Sequence, residues 1–142
     1  MMEAARREEI LRRWFEMWLI GKDLGIAQIF SPDAYYVESW GPAYRGVESI
    51  RQWFEEWNTR GKVVSWPIER FFHESSRTVA QWAFRAEMND GTVEAFDGMS
   101  LVEWNEEGQI RFLKEFGCNT ANYDPYENGP TPHFRNEKPK WF

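Results

Sequence analysis

Cysteine is almost missing from this 142-residue chain: Cys118 stands alone, so neither an intrachain disulfide nor a multi-cysteine metal site can form. Histidine is nearly as scarce. His73 and His133 lie far apart in different contexts, and no metal-ligand spacing results. A basic excess is missing too. The net charge of -6 leaves no positive stripe for phosphates, so no nucleic-acid partner is expected and acidic substrates are disfavoured. Nor is there a long apolar run near the start, where Arg6, Arg7, Glu8, Glu9, Arg12, Arg13 and Glu16 interrupt what would otherwise be a signal peptide or a membrane span. With its lone thiol, the chain is expected to be cytoplasmic and to have no membrane partner. There is no phosphate-cradling glycine loop, GxSxG elbow or HExxH pair, and neither a metal nor an organic cofactor is expected.

What the chain has in excess is rings: nine Trp and eleven Phe, which need either a large core or a cavity to line. The length fits one domain. Ile10, Trp14, Met17 and Trp18 follow helical spacing and predict an amphipathic helix from about Glu3 to Ile20, stopped at Gly21. A short helix is expected near Asp23–Phe30 and a third over Val47–Thr59. Four strands follow, Val63–His73, Arg77–Met88, Thr92–Trp104 and Gln109–Gly117, joined by short polar links of the kind that connect antiparallel neighbours. The expected fold class is α+β, a curved antiparallel sheet wrapped around N-terminal helices as a cone with a pocket at its open end. Residues 1–118 form this domain. Residues 119–142, with Pro125, Pro130, Pro132 and Pro139 and little apolar periodicity, form an extended tail whose end, Lys138–Phe142, reads as mobile or, as the alternative, as docked on a neighbouring subunit.

The segment Phe30–Trp57, FSPDAYYVESWGPAYRGVESIRQWFEEW, concentrates the chemistry. A turn is expected at Ser31-Pro32-Asp33, then a strand Ala34–Trp40, then a turn at Trp40-Gly41-Pro42. Alternation puts Ala34, Tyr36, Glu38 and Trp40 on one face. An acid among rings is poorly hydrated, which raises its pKa toward that of a useful base, and Glu38 is the first candidate. Tyr36, Trp40 and Tyr44 beside it are candidate ligand contacts, as are Trp66 and Trp82 on the strands. Trp53, Phe54 and Trp57, at helical spacing, read as core. Asp97, before Gly98 within a strand, is a second candidate acid if a bulge re-aims it. Which of Lys114 and Glu115 points inward on the last strand is left open, because a one-residue slip swaps its faces, and a place for both on the solvated rim is an equal reading.

The run F-S-P-D-A-Y-Y-V-E-S-W-G-P-A-Y-R-G-V-E-S-I-R-Q-W-F, followed by four strands with F-D-G inside the third, resembles the SnoaL-like, ketosteroid-isomerase-like branch of the nuclear transport factor 2 superfamily. The resemblance spans about Ile10–Cys118. It implies the cone fold and a choice of functions: cofactor-independent isomerase, cyclase or dehydratase acting on an apolar ring-containing carbonyl compound, or a non-catalytic ligand-binding or dimeric module. It places Glu38 at the position of the isomerase's base. Trp14 stands where the isomerase has a tyrosine and Ser100 where it has a protonated aspartate, so these two are the implied hydrogen-bond donors. In a polyketide-cyclase-like reaction Asp97 would transfer the proton. A homodimer through the open sheet face is expected.

Overall fold

The computed structural model describes residues 2–136, and the expectation for Lys138–Phe142 lies outside the described residues. Helix α1, Ala4–Ile20, ends where Gly21 takes φ 72° and its N–H caps the Met17 carbonyl. Its inner stripe buries Ile10, Leu11, Trp14, Phe15, Met17 and Trp18, as the periodicity predicts. Helix α2, Ile26–Ile29, is only one turn long, because the Asp23 carboxylate collects the N–H groups of Gly25 and Ile26 (both 2.8 Å) in place of further helix upstream.

Strand β1 runs Phe30–Val37, and the irregular stretch at Ser31-Pro32-Asp33 falls inside it as a register shift instead of a separate turn. A tight turn follows, in which Glu38 N–H donates to the Pro42 carbonyl (2.8 Å) and Gly41 adopts φ 126°, a conformation open to glycine. Strand β2, Ala43–Arg45, returns antiparallel to β1 and leads into α3, Val47–Arg60, which buries Ile50, Phe54 and Trp57. The stretch read as one strand over Val63–His73 is two: β3, Gly61–Ser65, and β4, Ile68–Glu74. Pro67 has no N–H to give a ladder, and the chain breaks at Trp66-Pro67 so that the Trp66 ring turns inward. Both pieces pair with the long β5, Arg77–Met88, each with a one-residue irregularity beside the break. These bulges bend the sheet around the helices.

The meander closes through β6, Val93–Trp104, and β7, Ile110–Cys118. The seven strands form one sheet, ordered β2-β1-β7-β6-β5-β3 with β4 on the edge of β5. All neighbours are antiparallel except β1 and β7, which pair in parallel, Tyr36 beside Leu113 and Val37 beside Lys114. The concave face packs on α1 and α3. The convex face leaves Phe72, Met99 and Phe116 exposed, the face where the sequence expects a second copy. Residues 119–136 contain neither helix nor strand and fold back on themselves, with the Arg135 guanidinium 4.0 Å over the Tyr123 ring.

The narrow end of the cone is closed by polar contacts. The buried Arg7 donates to the carbonyls of Ser75 (2.7 Å) and Arg77 (3.3 Å), while His73 Nε2 lies 2.8 Å from Glu8 and its Nδ1 3.0 Å from the Thr78 hydroxyl. Trp104 Nε1 donates to that same hydroxyl (2.9 Å). These contacts fasten α1 to the β4–β5 turn. The helix therefore plugs one end and leaves the other open.

Candidate functional site

The open end holds a cavity of about 390 Å³. Its helical wall is Trp18 from α1 with Trp53 and Trp57 from α3; its sheet wall is Trp66, Trp82, Phe84 and Phe96. Glu38, Ser39, Trp40, Glu94 and Glu115 complete the lining. Trp40 is 62% exposed and marks the mouth, whereas Glu115 is 8% exposed and belongs to the interior.

Glu115 is the residue that the sequence left undecided. It pairs with Ser100 across the β6–β7 ladder and faces the cavity, while Lys114 points to solvent. The one-residue ambiguity has a physical source. Glu103 pairs with Phe112 but Trp104 with Ile110, so Arg111 is an inserted residue that shifts the alternation between the two ends of β7. Burial pushes the Glu115 carboxyl up to about 8, and the Glu38 charge pushes in the same direction against the hydrogen bond from Tyr36. That bond is short: Tyr36 Oη donates to Glu115 Oε2 at 2.6 Å. A neutral carboxyl can accept it on one oxygen and keep its own proton on the other.

Glu38 sits just past the end of β1, on the cavity face that alternation assigns to it. Its Oε2 accepts a hydrogen bond from Tyr44 Oη (2.7 Å), and Tyr44 is itself stacked on Trp53 at 4.6 Å and 12°. Burial raises the Glu38 pKa, hydrogen bonds from Tyr44 and Trp40 oppose the rise, and the Glu94 charge adds to it. Burial and the neighbouring acids also raise both phenols, Tyr36 and Tyr44, which stay protonated donors. Two acids thus share one cavity in unequal settings. Glu115 is dry and readily neutral; Glu38 is wetter, better supplied with donors, and the easier of the two to ionise.

The other candidates fall into three places. Trp40, Trp66 and Trp82 line the cavity with Glu38. Trp14, Tyr36 and Ser100 are fully buried in the layer behind its wall. Tyr36 acts on the cavity through Glu115, and Ser100 through Trp82, whose Nε1 donates to the Ser100 hydroxyl (2.9 Å). Trp14 meets the rings of Trp18, Phe30, Tyr36, Trp53 and Phe54 with no exposed surface and does not line the cavity, so the reading of Trp14 as a substrate donor gives way to a core role. Asp97 is corrected more sharply. It pairs with Cys118 and lies exposed on the convex face, since β6 keeps strict alternation there and no bulge re-aims it. Trp53 and Trp57, read as core from helical spacing, are also cavity wall, because the cone is not filled behind them. Among the described residues no group of three His, Cys, Asp or Glu side chains is arranged to hold a metal ion.

Removing the Tyr36 hydroxyl tests the donor arrangement. In Tyr36→Phe the Glu115 carboxylate loses the hydrogen bond that stabilises it, so its titration midpoint is expected to move up from about 8. Carbon-13 NMR of labelled glutamate reads the midpoint directly, and an unchanged or lower value would contradict the assignment.

The strongly curled half-barrel sheet around N-terminal helices is a cone fold shared with solved structures that include a nuclear transport factor 2-like protein. Within it, the chain belongs to the SnoaL-like domain family, whose model matches residues 11–113. Among solved structures it is similar to a proposed isomerase from Bacillus subtilis, at 13% identity and TM-score 0.72 over 83% of this chain and 90% of that one. A protein of ketosteroid isomerase-like fold from Catenulispora acidiphila DSM 44928, in complex with trimethylamine, is similar at 17% identity and TM-score 0.65, covering 76% of this chain and 84% of its own. A proposed SnoaL-like polyketide cyclase from Jannaschia sp. CCS1 is similar at 15% identity and TM-score 0.65, covering 80% and 85%. No curated protein matches. At these identities the likeness to solved structures carries the fold alone.

Proposed function

We propose that the chain is a cofactor-independent enzyme that moves a proton on a mostly apolar, ring-containing carbonyl compound, in an isomerisation, cyclisation or dehydration. The Glu38 carboxylate takes the proton from the carbon beside the carbonyl. Glu115 gives its own proton to the carbonyl oxygen as the enol forms, and the two return protons in the opposite sense when the enol collapses to product. Tyr36 and Tyr44 hold the two carboxyls, and the indoles keep water out. The observation that carries this reading is the acid pair in one ring-lined cavity, with environments that separate the acid from the base. The cavity volume also falls in the ordinary range for small-molecule sites, roughly 300–1,000 Å³.

The test is deuterium exchange into a panel of ring ketones by wild type, Glu38→Gln and Glu115→Gln. Each variant is expected to lose about 100-fold or more, the usual contribution of a positioned acid or base. Equal exchange by all three proteins would refute the chemistry, and saturable ketone binding without exchange would make the protein a binding module.

A further inference from the structure

We propose that Ser39 binds a hydroxyl on the β-carbon of the substrate, which makes the compound a β-hydroxy ketone and its reaction a dehydration. This rests on the reading above, because it takes Glu38 as the base and Glu115 as the acid. Strict alternation along β1 would turn Ser39 away from the face that Glu38 occupies. Strand β1 ends at Val37, however, and the turn held by Glu38 N–H on the Pro42 carbonyl (2.8 Å) and Gly41 N–H on the Glu38 carbonyl (3.2 Å) brings both residues to the cavity. Gly117 makes room for the hydroxyl. A Cβ at Gly117 would stand 3.2 Å from Ser39 Oγ and 3.2 Å from the Phe96 ring, so the missing side chain leaves a notch on the inner face of β7 in which Ser39 is seated.

The second support is what this hydroxyl lacks. Tyr36 Oη is committed to Glu115, Tyr44 Oη to Glu38, and the Ser100 hydroxyl to the Trp82 indole. Ser39 is the hydroxyl left over at the site, with no hydrogen-bond partner among the described residues. The Phe96 ring beside it offers no acceptor, and a ligand oxygen that displaces water from the cavity finds a partner there. Its place relative to the acids fixes which oxygen. Glu38 follows Val37, which pairs with Lys114, so Glu38 stands beside Glu115, and Gly117 is two residues further on, roughly 6.5 Å along the strand. With the carbonyl oxygen at Glu115 and the α-carbon at Glu38, the next group along is an oxygen on the β-carbon. The steps balance without a further reactant. Glu38 takes the α-proton while Glu115 protonates the carbonyl oxygen, giving the enol. On collapse the enol O–H proton returns to Glu115, the carbonyl and the α–β double bond form, and the β C–O electron pair leaves with the oxygen. Ser39 donates a hydrogen bond to that oxygen, Glu38 gives it the proton, and water departs.

The probes are 3-hydroxycyclohexanone and 4-hydroxycyclohexanone, isomers that differ only in where the second oxygen sits. Calorimetry at pH 7 reads their affinities, and ultraviolet absorbance reads the cyclohex-2-enone formed from the first. Wild type is expected to bind the 3-hydroxy isomer about fivefold more tightly, the worth of one neutral hydrogen bond, and to convert it to the enone. Ser39→Ala should abolish that preference, leave the 4-hydroxy affinity unchanged and slow enone formation about fivefold or more. Gly117→Ala, which keeps the hydroxyl but fills the notch, should lose the preference as well. Equal affinities in wild type, or a preference that survives Ser39→Ala, would overturn the Ser39 subsite, and a preference without enone would overturn the dehydration. Deuterium exchange that depends on Glu38, found in both isomers with no preference between them, would remove this proposal and keep the proton transfer. A preference lost in Ser39→Ala, with neither exchange nor enone in any protein, would remove the proton transfer and leave a binding subsite.

Discussion

Glu115→Gln protein will be more stable than wild type at pH 9 and nearly equal to it at pH 4. The sign follows from where the proton resides. Unfolded, the Glu115 carboxyl titrates near 4.5; folded, it titrates at about 8. Between these values the native state binds more protons than the unfolded state, so wild-type stability falls as pH rises through the interval and levels off above it. At roughly 1.4 kcal/mol per pKa unit, the loss is on the order of several kcal/mol, a large share of the roughly 5–15 kcal/mol that holds a domain together. Glutamine copies the shape of the neutral acid and still accepts the Tyr36 hydrogen bond, so the variant lacks this loss. Urea unfolding from pH 4 to pH 9 measures it. Equal pH slopes in the two proteins would mean that Glu115 is not buried as an acid. A shallower slope of the same sign should remain in the variant, because the Glu38 pKa is raised as well.

Trp14→Ala is expected to cost about 3–5 kcal/mol, the range for truncating a buried tryptophan, and to leave a protein close to unfolding at 37 °C. Trp14 has no exposed surface, and its ring lies 4.9 Å from Phe30, 5.6 Å from Trp18 and 5.9 Å from Tyr36. Its loss opens a hole beneath both the helical wall and the tyrosine that holds Glu115. Trp14→Phe keeps most of the contact and should lose much less. Chemical denaturation at pH 7 separates this from a ligand-donor role, for which stability would survive in the alanine variant and only binding would fall.

The parts that the sequence foretold are those fixed by local signals. Arg77–Met88 was legible because Ser75-Ser76 and Asn89-Asp90-Gly91 bracket it, and α1 because its apolar stripe runs unbroken to Gly21. Alternation from Tyr36 to Glu38 was legible as well, since it needs only neighbouring residues. What escaped depends on partners far along the chain. The bulge at Arg111 that turns Glu115 inward exists only in the β6–β7 register, and the parallel pairing of β1 with β7 has no local mark. Helical spacing of Trp53 and Trp57 reports which way they face, but not that the space they face stays open. The break at Trp66-Pro67 did carry a signal, the missing amide of Pro67, but a run of strand-forming residues on either side outweighed it.

The parallel ladder between β1 and β7 also sets the order in which the molecule can be made. Past the pair Val37 and Lys114, the next residue on each strand is Glu38 and Glu115, so the acid pair is created by joining segments whose contacting side chains, Tyr36 and Glu115, are 79 residues apart. During synthesis β1 emerges with only the short β2 to pair, and one edge of it stays open until nearly all of the domain has been translated. Contacts of such span form slowly and late. The shifted acidity of Glu115 thus exists only once β7 is docked, and a chain stalled before that point carries Glu38 without its acid partner.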